Sequence, residues 1–83
     1  MRAKIYITYK DGILDPQGKT VGSALKSMGL ADIKSVSIGK FIEMTFDKSL
    51  TIEEVKKITE KSCQKLLANP NTEQYIYDIE DSD

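Results

Sequence analysis

The stretch AKIYITY, from Ala3 to Tyr9, alternates apolar and polar side chains with a period of two. Its odd positions are Ala3, Ile5, Ile7 and Tyr9, and its even positions are Lys4, Tyr6 and Thr8. Successive side chains of a strand point to opposite faces of a sheet. The alternation therefore predicts a strand with one buried face.

A loop and a helix follow this strand. Asp11-Gly12 and Asp15-Pro16 predict the loop, because proline fixes φ and glycine adopts a positive φ without strain. Apolar residues then recur at the helical spacing i, i+3, i+4 and i+7, at Val21, Ala24, Leu25 and Met28. This spacing predicts a helix over about 18–28, with Gly29 as its C-terminal cap.

The triplet GKT at 18–20 resembles part of a phosphate-binding loop. Such a loop needs four residues between its first glycine and the triplet, but five separate the triplet from Gly12. Asp15 would place a negative charge against the phosphates, and Pro16 has no N–H to donate to them. The spacing and the chemistry therefore argue against a nucleotide hydrolase.

Two β-rich runs flank Gly39-Lys40 in the stretch IKSVSIGKFIEMTF, from 33 to 46. A two-residue turn would divide their apolar residues between opposite faces. A three-residue connection, Gly39-Lys40-Phe41, instead opposes Ile38 with Ile42. It collects on one face Val36, Ile38, Ile42, Met44 and Phe46. We therefore predict a hairpin in this register, with Phe41 facing outward and available to a partner.

The second helix has a clear N-terminal signal in LTIEEV, from 50 to 55. Thr51 is the predicted N-cap, Glu54 completes a capping box, and Leu50 forms a hydrophobic staple with Val55. The predicted inward stripe consists of Ile52, Val55, Ile58, Ser62 and Leu66, flanked by Cys63 and Leu67. Asn69-Pro70 ends this helix, and a last strand is predicted over about 73–79, with Tyr75, Tyr77 and Ile79 on one face.

These elements predict an α+β fold with the order β-α-β-β-α-β, a two-layer ferredoxin-like sandwich with an antiparallel sheet. The chain of 83 residues is expected to form one domain, 1–83, whose acidic end at about 80–83 frays. A domain of this size has a marginal core. One sheet face is left bare, with Tyr6, Tyr9, Phe41 and Ile76 available to it or to an edge. We expect a second copy, as in a homodimer, or a larger subunit to cover this face.

The composition excludes several functional classes. With no histidine and one cysteine, the chain lacks His-based acid/base catalysis, Ser-His or Cys-His nucleophiles, the common zinc sites and an internal disulfide. Twelve Lys and Arg against 13 Asp and Glu give a net charge of −1, without the basic excess of a nucleic-acid-binding protein. No apolar run approaches the roughly 20 residues that span a membrane. A cytoplasmic protein is therefore expected.

Three groups of residues remain as candidates for chemistry. The acids at 53–54 and in the C-terminal stretch DIEDSD lack the convergent spacing of a metal site and are interpreted as solvated. Cys63 lies at the apolar stripe of the second helix, so a buried, inert thiol is expected. Lys19 and Lys40 lie at glycine-containing loops, where they either bind a partner or a ligand phosphate or are incidental solvated lysines. The residues alone leave both interpretations open.

Three segments together resemble the PurS family, the small subunit of phosphoribosylformylglycinamidine (FGAM) synthase. They are ILDPQGKTVGSAL at 13–25, VSIGKFIEM at 36–44 and CQKLLANPNTEQYIYDI at 63–79. The resemblance implies a non-catalytic subunit of an enzyme complex in de novo purine biosynthesis that binds no cofactor or metal itself. Its implied partners are a large PurL-type synthetase, which uses ATP and Mg²⁺, and a PurQ-type glutaminase. Glutamine-derived ammonia then converts formylglycinamide ribonucleotide (FGAR) to FGAM.

The same resemblance implies that the loop at 15–19 is a rigid docking loop whose GKT triplet is a coincidence. The expected partner contacts are Asp15, Gln17, Lys19, Lys40, Phe41 and Asn69. The residues expected to hold these backbones in shape are Pro16, Gly18, Gly39 and Pro70. The implied assembly is a cytoplasmic dimer that bridges the two partner subunits, and the isolated chain is expected to be a homodimer or a higher homo-oligomer. A small ligand-binding regulatory module of ferredoxin-like fold remains the alternative.

Overall fold

The computed structural model describes residues 1–81. The elements in chain order are β1 (Arg2–Tyr9), α1 (Pro16–Ser27), β2 (Lys40–Thr45), α2 (Ile52–Ser62), a π-helical turn (Cys63–Leu67) and β3 (Glu73–Glu80). The strands form one antiparallel sheet in the order β2-β1-β3, so the first strand of the sequence is the central one. The predicted α+β class, with two helices and an antiparallel sheet, is confirmed.

The central strand β1 supplies the core. Ala3, Ile5 and Ile7 are buried, as the period of two predicts, whereas Tyr9 lies exposed at the end of the strand. Ile5 is opposite Ile42 of β2 on one side and Tyr77 of β3 on the other. Partly buried side chains of the neighbouring elements pack against this cluster, namely Ile42, Met44, Leu67, Tyr75 and Tyr77. The buried face of the sheet therefore carries the predicted residues of all three strands.

The strand β3 pairs with β1 along its whole length, from Glu73 opposite Tyr9 to Glu80 opposite Arg2. The Glu80 carboxylate lies 2.8 Å from the Lys4 Nζ atom in an ion pair on the outer face. Glu80 is the last residue of the strand, and the predicted fraying of the acidic end stays a prediction. Of the end at 80–83, residues 82–83 lie outside the described residues.

The helix α2 begins as its sequence predicts. The Glu54 N–H donates to Thr51 Oγ1 at 3.2 Å, and the Thr51 N–H donates to Glu54 Oε1 at 3.0 Å, which completes the capping box. These reciprocal bonds satisfy two backbone donors that the first turn of a helix otherwise leaves unpaired.

The buried row of α2 differs from the predicted stripe. Val55, Thr59 and Cys63, at the spacing i, i+4 and i+8, are fully buried, whereas Ile58 and Leu66 are exposed. Ile52 is exposed as well, and Ser62 is half-buried. Thr59 tolerates burial because its hydroxyl donates to the Val55 carbonyl at 2.8 Å. The predicted stripe was wrong because it was chosen from apolar residues. The row that faces the sheet includes Thr59, whose hydroxyl is hydrogen-bonded within the helix.

A π-helical turn ends this helical segment. The Ala68 N–H donates to the Cys63 carbonyl five residues earlier, at 3.1 Å. Ala68 then has extended backbone angles, so the helical conformation stops before Asn69-Pro70, as predicted. The wider turn brings Cys63 and Leu67 to the core and leaves Leu66 exposed.

The predicted hairpin around Gly39 is not formed. No strand precedes Lys40 after α1 in the part of the chain that the structure describes, and β2 pairs directly with β1, with Tyr6 opposite Phe41. Ile38 donates its N–H to the Asp15 carboxylate instead of to a strand. Phe41 does face outward, and Ile42 and Met44 face inward, as predicted. The second strand of the predicted order is therefore absent within residues 1–81.

The helix α1 begins two residues earlier than predicted, because Asp15 is its N-cap and Pro16 its first residue. Gly29 has a φ of +91° directly after the helix, as the predicted C-terminal cap requires.

Within residues 1–81, α2 and the π-helical turn pack on the sheet, and α1 makes no close packing of that extent with it. We call residues 13–38, which comprise α1 and the return segment at 31–38, the arm, and the remainder the body.

Candidate functional site

Asp15 joins the two halves of the arm. Its Oδ1 atom accepts a hydrogen bond from the Gly18 N–H, and its Oδ2 atom accepts one from the Ile38 N–H, both at 2.8 Å. These two N–H donors, the one of Ile38 first, hold the pKa of the Asp15 carboxyl below its usual value. We call this arrangement the clasp. The predicted contact residue Asp15 is therefore engaged through both oxygens within the chain.

Two glycines lie where the backbone passes close to another segment. A Cβ atom at Gly18 would overlap the Val36 carbonyl oxygen, and one at Gly39 would overlap the Ile7 carbonyl oxygen. Gly18 thus allows α1 to lie against the return segment, and Gly39 allows the chain to enter β2 beside the end of β1. Both are positions where a side chain does not fit.

A cleft of about 140 Å³ lies where the arm meets the end of the sheet. Gln17 of α1, Lys40 of β2, Tyr9 of β1 and Glu73 of β3 are among its lining residues. We call this the junction cleft. It brings Gln17 and Lys40 together, two of the residues that the sequence singled out.

Glu73 links the junction cleft to Asn69, another residue predicted to contact a partner. Its Oε2 atom lies 3.5 Å from the Lys40 Nζ atom, and its Oε1 atom accepts the Asn69 N–H at 2.7 Å. The Glu73 side chain is only 13% exposed, whereas that of Lys40 is 59% exposed. Glu73 therefore fixes the Asn69 turn and orients an accessible cation. Sequence reasoning missed Glu73, whose only local signal is an acid at the start of β3, directly after the turn NPNT.

Two predicted residues lie elsewhere. Lys19 lines a separate cleft of the arm, together with Lys26 and Lys34. Phe41 lies on the outer face of the sheet, with its ring centroid 5.2 Å from that of Tyr6. We call the cleft that Lys19, Lys26 and Lys34 line the lysine cleft. The structure therefore distributes the six predicted contact residues over the clasp, the junction cleft, the lysine cleft and the outer face.

The outer face carries an exposed apolar row across all three strands. Tyr6 of β1 is directly opposite Phe41 of β2 and Ile76 of β3. All three are exposed, Ile76 to 71%. We call Tyr6, Phe41 and Ile76 the outer row. A contiguous apolar row on an otherwise charged surface is typical of a contact site.

The cysteine is poorly placed for chemistry. Cys63 is fully buried, and burial, together with the nearby Glu60 carboxylate, raises the pKa of its thiol. Among residues 1–81, no group of three or more His, Cys, Asp or Glu side chains is placed to hold a metal ion. No helix in the same range is long and apolar enough to cross a membrane.

Comparison with known proteins identifies the family. The PurS family model, described as phosphoribosylformylglycinamidine (FGAM) synthase, matches residues 2–81. The PurS subunit of this synthase from Bacillus subtilis is 39% identical over 80 residues, which cover 96% of this chain and 93% of the relative. A crystal structure of B. subtilis PurS has a TM-score of 0.85 and covers 96% of this chain and 98% of that one.

Two further structures agree. PurS of Methanocaldococcus jannaschii, described as a subunit of formylglycinamide ribonucleotide amidotransferase in the purine biosynthetic pathway, is 34% identical with a TM-score of 0.86 over 99% and 98% of the two chains. A chain in the structure of PurLQS from Thermotoga maritima is 28% identical with a TM-score of 0.78 over 94% and 96%. The resemblance in the three sequence segments is thereby confirmed, and the chain belongs to the PurS family of phosphoribosylformylglycinamidine synthase subunits.

Proposed function

We propose that this chain is the assembly subunit of an FGAM synthase complex in purine biosynthesis, where it joins a PurL-type synthetase subunit to a PurQ-type glutaminase subunit. The observation that carries the proposal is the near full-length likeness to a chain of the T. maritima PurLQS structure, with a TM-score of 0.78. On this proposal the glutaminase supplies ammonia, the synthetase converts FGAR to FGAM with ATP and Mg²⁺, and this chain binds no cofactor.

The chemistry of the described residues supports a non-catalytic role. The buried thiol of Cys63 has a raised pKa and no histidine partner, because the chain contains no histidine. The surface instead carries three candidate contact sites, which are the junction cleft, the lysine cleft and the outer row. We further propose that the chain acts in the cytoplasm as one domain, together with these partner enzymes.

The junction cleft is the proposed partner-binding site. Lys40 presents an accessible ammonium group that Glu73 orients, and Gln17 and Asn69 add neutral polar groups beside it. A cation held by a largely buried carboxylate loses less side-chain entropy on binding than a free lysine. Pro16, Gly18, Gly39 and Pro70 support the backbones around it, and Asp15 holds the arm that carries Gln17. Lys19 and Phe41 are proposed to contact partners at separate places.

Reconstitution tests the assembly role. Glutamine-dependent FGAM formation by the large subunit and the glutaminase, supplied with ATP and Mg²⁺, is measured with and without this chain. We expect activity that depends on addition of the chain. The same rate with and without it, with every component folded, would refute the proposal.

Charge reversal at Lys40 tests the site within the same assay. Lys40→Glu places a carboxylate beside Glu73, so we expect weaker complex formation. The isolated fold should stay intact, because the Lys40 side chain is 59% exposed and the new carboxylate can turn into solvent. Lys19→Ala tests the lysine cleft. Lys48→Glu, in the turn after β2 at the opposite end of that strand, is the matched control for charge. Wild-type complex formation by both the Lys40 and the Lys19 variants would overturn the site assignment.

A further inference from the structure

The lysine cleft carries an excess of positive charge. It has a volume of about 400 Å³ and lies between α1 and the return segment of the arm. Within residues 1–81, none of Lys19, Lys26 and Lys34 forms an ion pair with a carboxylate. The one acid in the lining is Asp15, whose two oxygens already accept N–H groups in the clasp. Three lysines and one aspartate leave the cleft with a net charge of +2 in a chain whose net charge is −1.

A groove along α2 in the body provides the contrast. It is lined by equal numbers of lysines and glutamates, which are Lys56, Lys57 and Lys61 against Glu53, Glu54 and Glu60. Like charges gathered in one cleft repel one another unless an anion lies between them. The α2 groove therefore needs no counterion from outside, whereas the lysine cleft does.

The three lysines can reach one ligand. Lys19 and Lys26 are seven residues apart, about two helical turns, so they project from the same side of α1. Lys34 belongs to the return segment, which forms the opposite wall. The ammonium group of a lysine ends a flexible stem and acts as a point charge with three donors. The three groups can thus contact separate oxygens of one anion.

The rest of the lining suits the organic part of a small molecule. Ile33 and Val36 are half-buried and give the cleft an apolar surface. Ser23 and Ser35 add hydroxyl groups that have no hydrogen-bond partner within residues 1–81. Ligand pockets typically measure roughly 300–1,000 Å³ and combine apolar walls with a few polar or charged groups. The lysine cleft has this size and composition.

The N-terminus of α1 is not part of the anion site. A phosphate at a helix N-terminus contacts free backbone N–H groups, but the Gly18 N–H donates to Asp15 Oδ1 at 2.8 Å. An anion in the cleft is therefore held by side chains along the helix and across from it, and not by a phosphate-binding loop.

The cleft stays open when the other side of α1 is covered. Lys19, Lys26 and Lys34 are all exposed. The apolar Val21 and Met28 are displaced from Lys19 by about half a turn around the helix axis. A subunit that packs on the apolar side of α1 therefore leaves the lysines accessible.

We propose that the lysine cleft binds a phosphate-bearing small molecule, with its phosphate oxygens on the three lysines and its organic part against Ile33 and Val36. A phosphate monoester carries about −1.5 to −2 charges at neutral pH and three acceptor oxygens, which matches the charge of the lining. The ligand is bound and not transformed, and because it contacts both walls it holds α1 to the return segment together with the clasp. The proposal does not rest on the synthase role, since the site lies within this chain.

Titration of the ¹⁵N-labelled chain tests the site. The probes are ATP without Mg²⁺, ribose 5-phosphate and inorganic tripolyphosphate, each at constant ionic strength because salt screens such contacts. We expect saturable shifts of the amides of Ser23, Lys34 and Ser35, with a dissociation constant of about 1 mM or lower, which charge-assisted hydrogen bonds can supply. Tighter binding of ribose 5-phosphate would identify a monoester ligand, and tighter binding of ATP a polyphosphate.

Neutral variants locate the bound phosphate. Lys26→Gln and Lys34→Gln each remove one contact, so the dissociation constant should rise about fivefold or more in each. Lys57→Gln, in the charge-balanced groove of α2, is the matched control and should bind as the wild type does. All three positions are exposed, so circular dichroism should show an unchanged fold.

Four outcomes would contradict the proposal. The first is no saturable shift with any probe up to about 10 mM, and the second is an equal loss of affinity in the Lys57 variant. The third is equal affinity for ATP and tripolyphosphate, which would refute the contact with Ile33 and Val36. The fourth is an oligo-aspartate peptide that binds as tightly as ATP, because the cleft would then take an acidic polypeptide.

Discussion

A pair of glycines in α1 provides a matched test of how the arm is built. Gly22→Ala should stabilise α1 by about 1 kcal/mol, because alanine has the higher helix propensity and its Cβ would lie at an ordinary 3.6 Å from Val36 Cγ2. Gly18→Ala gains the same propensity, but its Cβ would overlap the Val36 carbonyl oxygen and lie 2.6 Å from Asp15 Oδ2. Overpacking of this kind costs typically 1–3 kcal/mol.

The net change expected for Gly18→Ala is therefore between no stabilisation and a loss of about 2 kcal/mol, which is the propensity gain set against the overlap. Hydrogen exchange of the α1 amides measures it, because protection reports local opening directly. A change of 1 kcal/mol corresponds to about a fivefold change in exchange rate. Protection should rise about fivefold in the Gly22 variant and fall or stay level in the Gly18 variant.

The two variants differ in one methyl group placed one helical turn apart, so each serves as the other's control. Equal gains in protection for both would refute the close contact between α1 and the return segment.

Two further predictions concern single side chains. The pKa of Asp15 is lowered in the folded chain, so the stability that it adds is complete above its unfolded value of 3.8 and is lost as the pH falls through the lower folded value; α1 protection factors should therefore fall below about pH 4, and the Asp15→Asn variant should lack this response. An identical pH response in that variant would contradict the clasp. Cys63 should react slowly with iodoacetamide at pH 8 because its thiol is buried with a raised pKa, whereas Leu66→Cys, on the exposed side of the π-helical turn, should react quickly. Equal alkylation rates measured by mass spectrometry would show that the turn is open in solution.

Sequence patterns predicted the local structure correctly wherever a residue's partners are near it in sequence. The alternation around Ile5 predicted the central strand, and the capping box of Thr51 and Glu54 predicted the start of α2, because these patterns act over a few residues. The same holds for Gly29 after α1. The N-cap role of Asp15 was missed because Asp15-Pro16 has the chemistry of a turn as well as of a helix start.

Features that depend on distant parts of the chain could not be obtained in this way. The ion pair of Lys40 with Glu73 joins the first residue of β2 to the first of β3, so no local pattern indicates it. The buried row of α2 depends on which flank the sheet covers, and Ile58 was misplaced for that reason. The strand predicted around Val36 has suitable residues, but a strand requires a pairing neighbour. In the described structure this segment instead lies against α1, with Val36 beside Gly18 and the Ile38 N–H bonded to Asp15.

The π-helical turn at 63–67 has a consequence for chain length. A turn closed by an i to i+5 hydrogen bond holds one residue more than an α-helical turn, and it lies directly before the fixed Asn69 turn and β3. The wider turn thus accommodates one additional residue, and Glu73 keeps its position opposite Tyr9. Removal of one residue here would restore a regular α-helix, whereas the same deletion within β3 would shift every following side chain to the other face of the sheet. We therefore expect a one-residue deletion to be tolerated better in this turn than in β3.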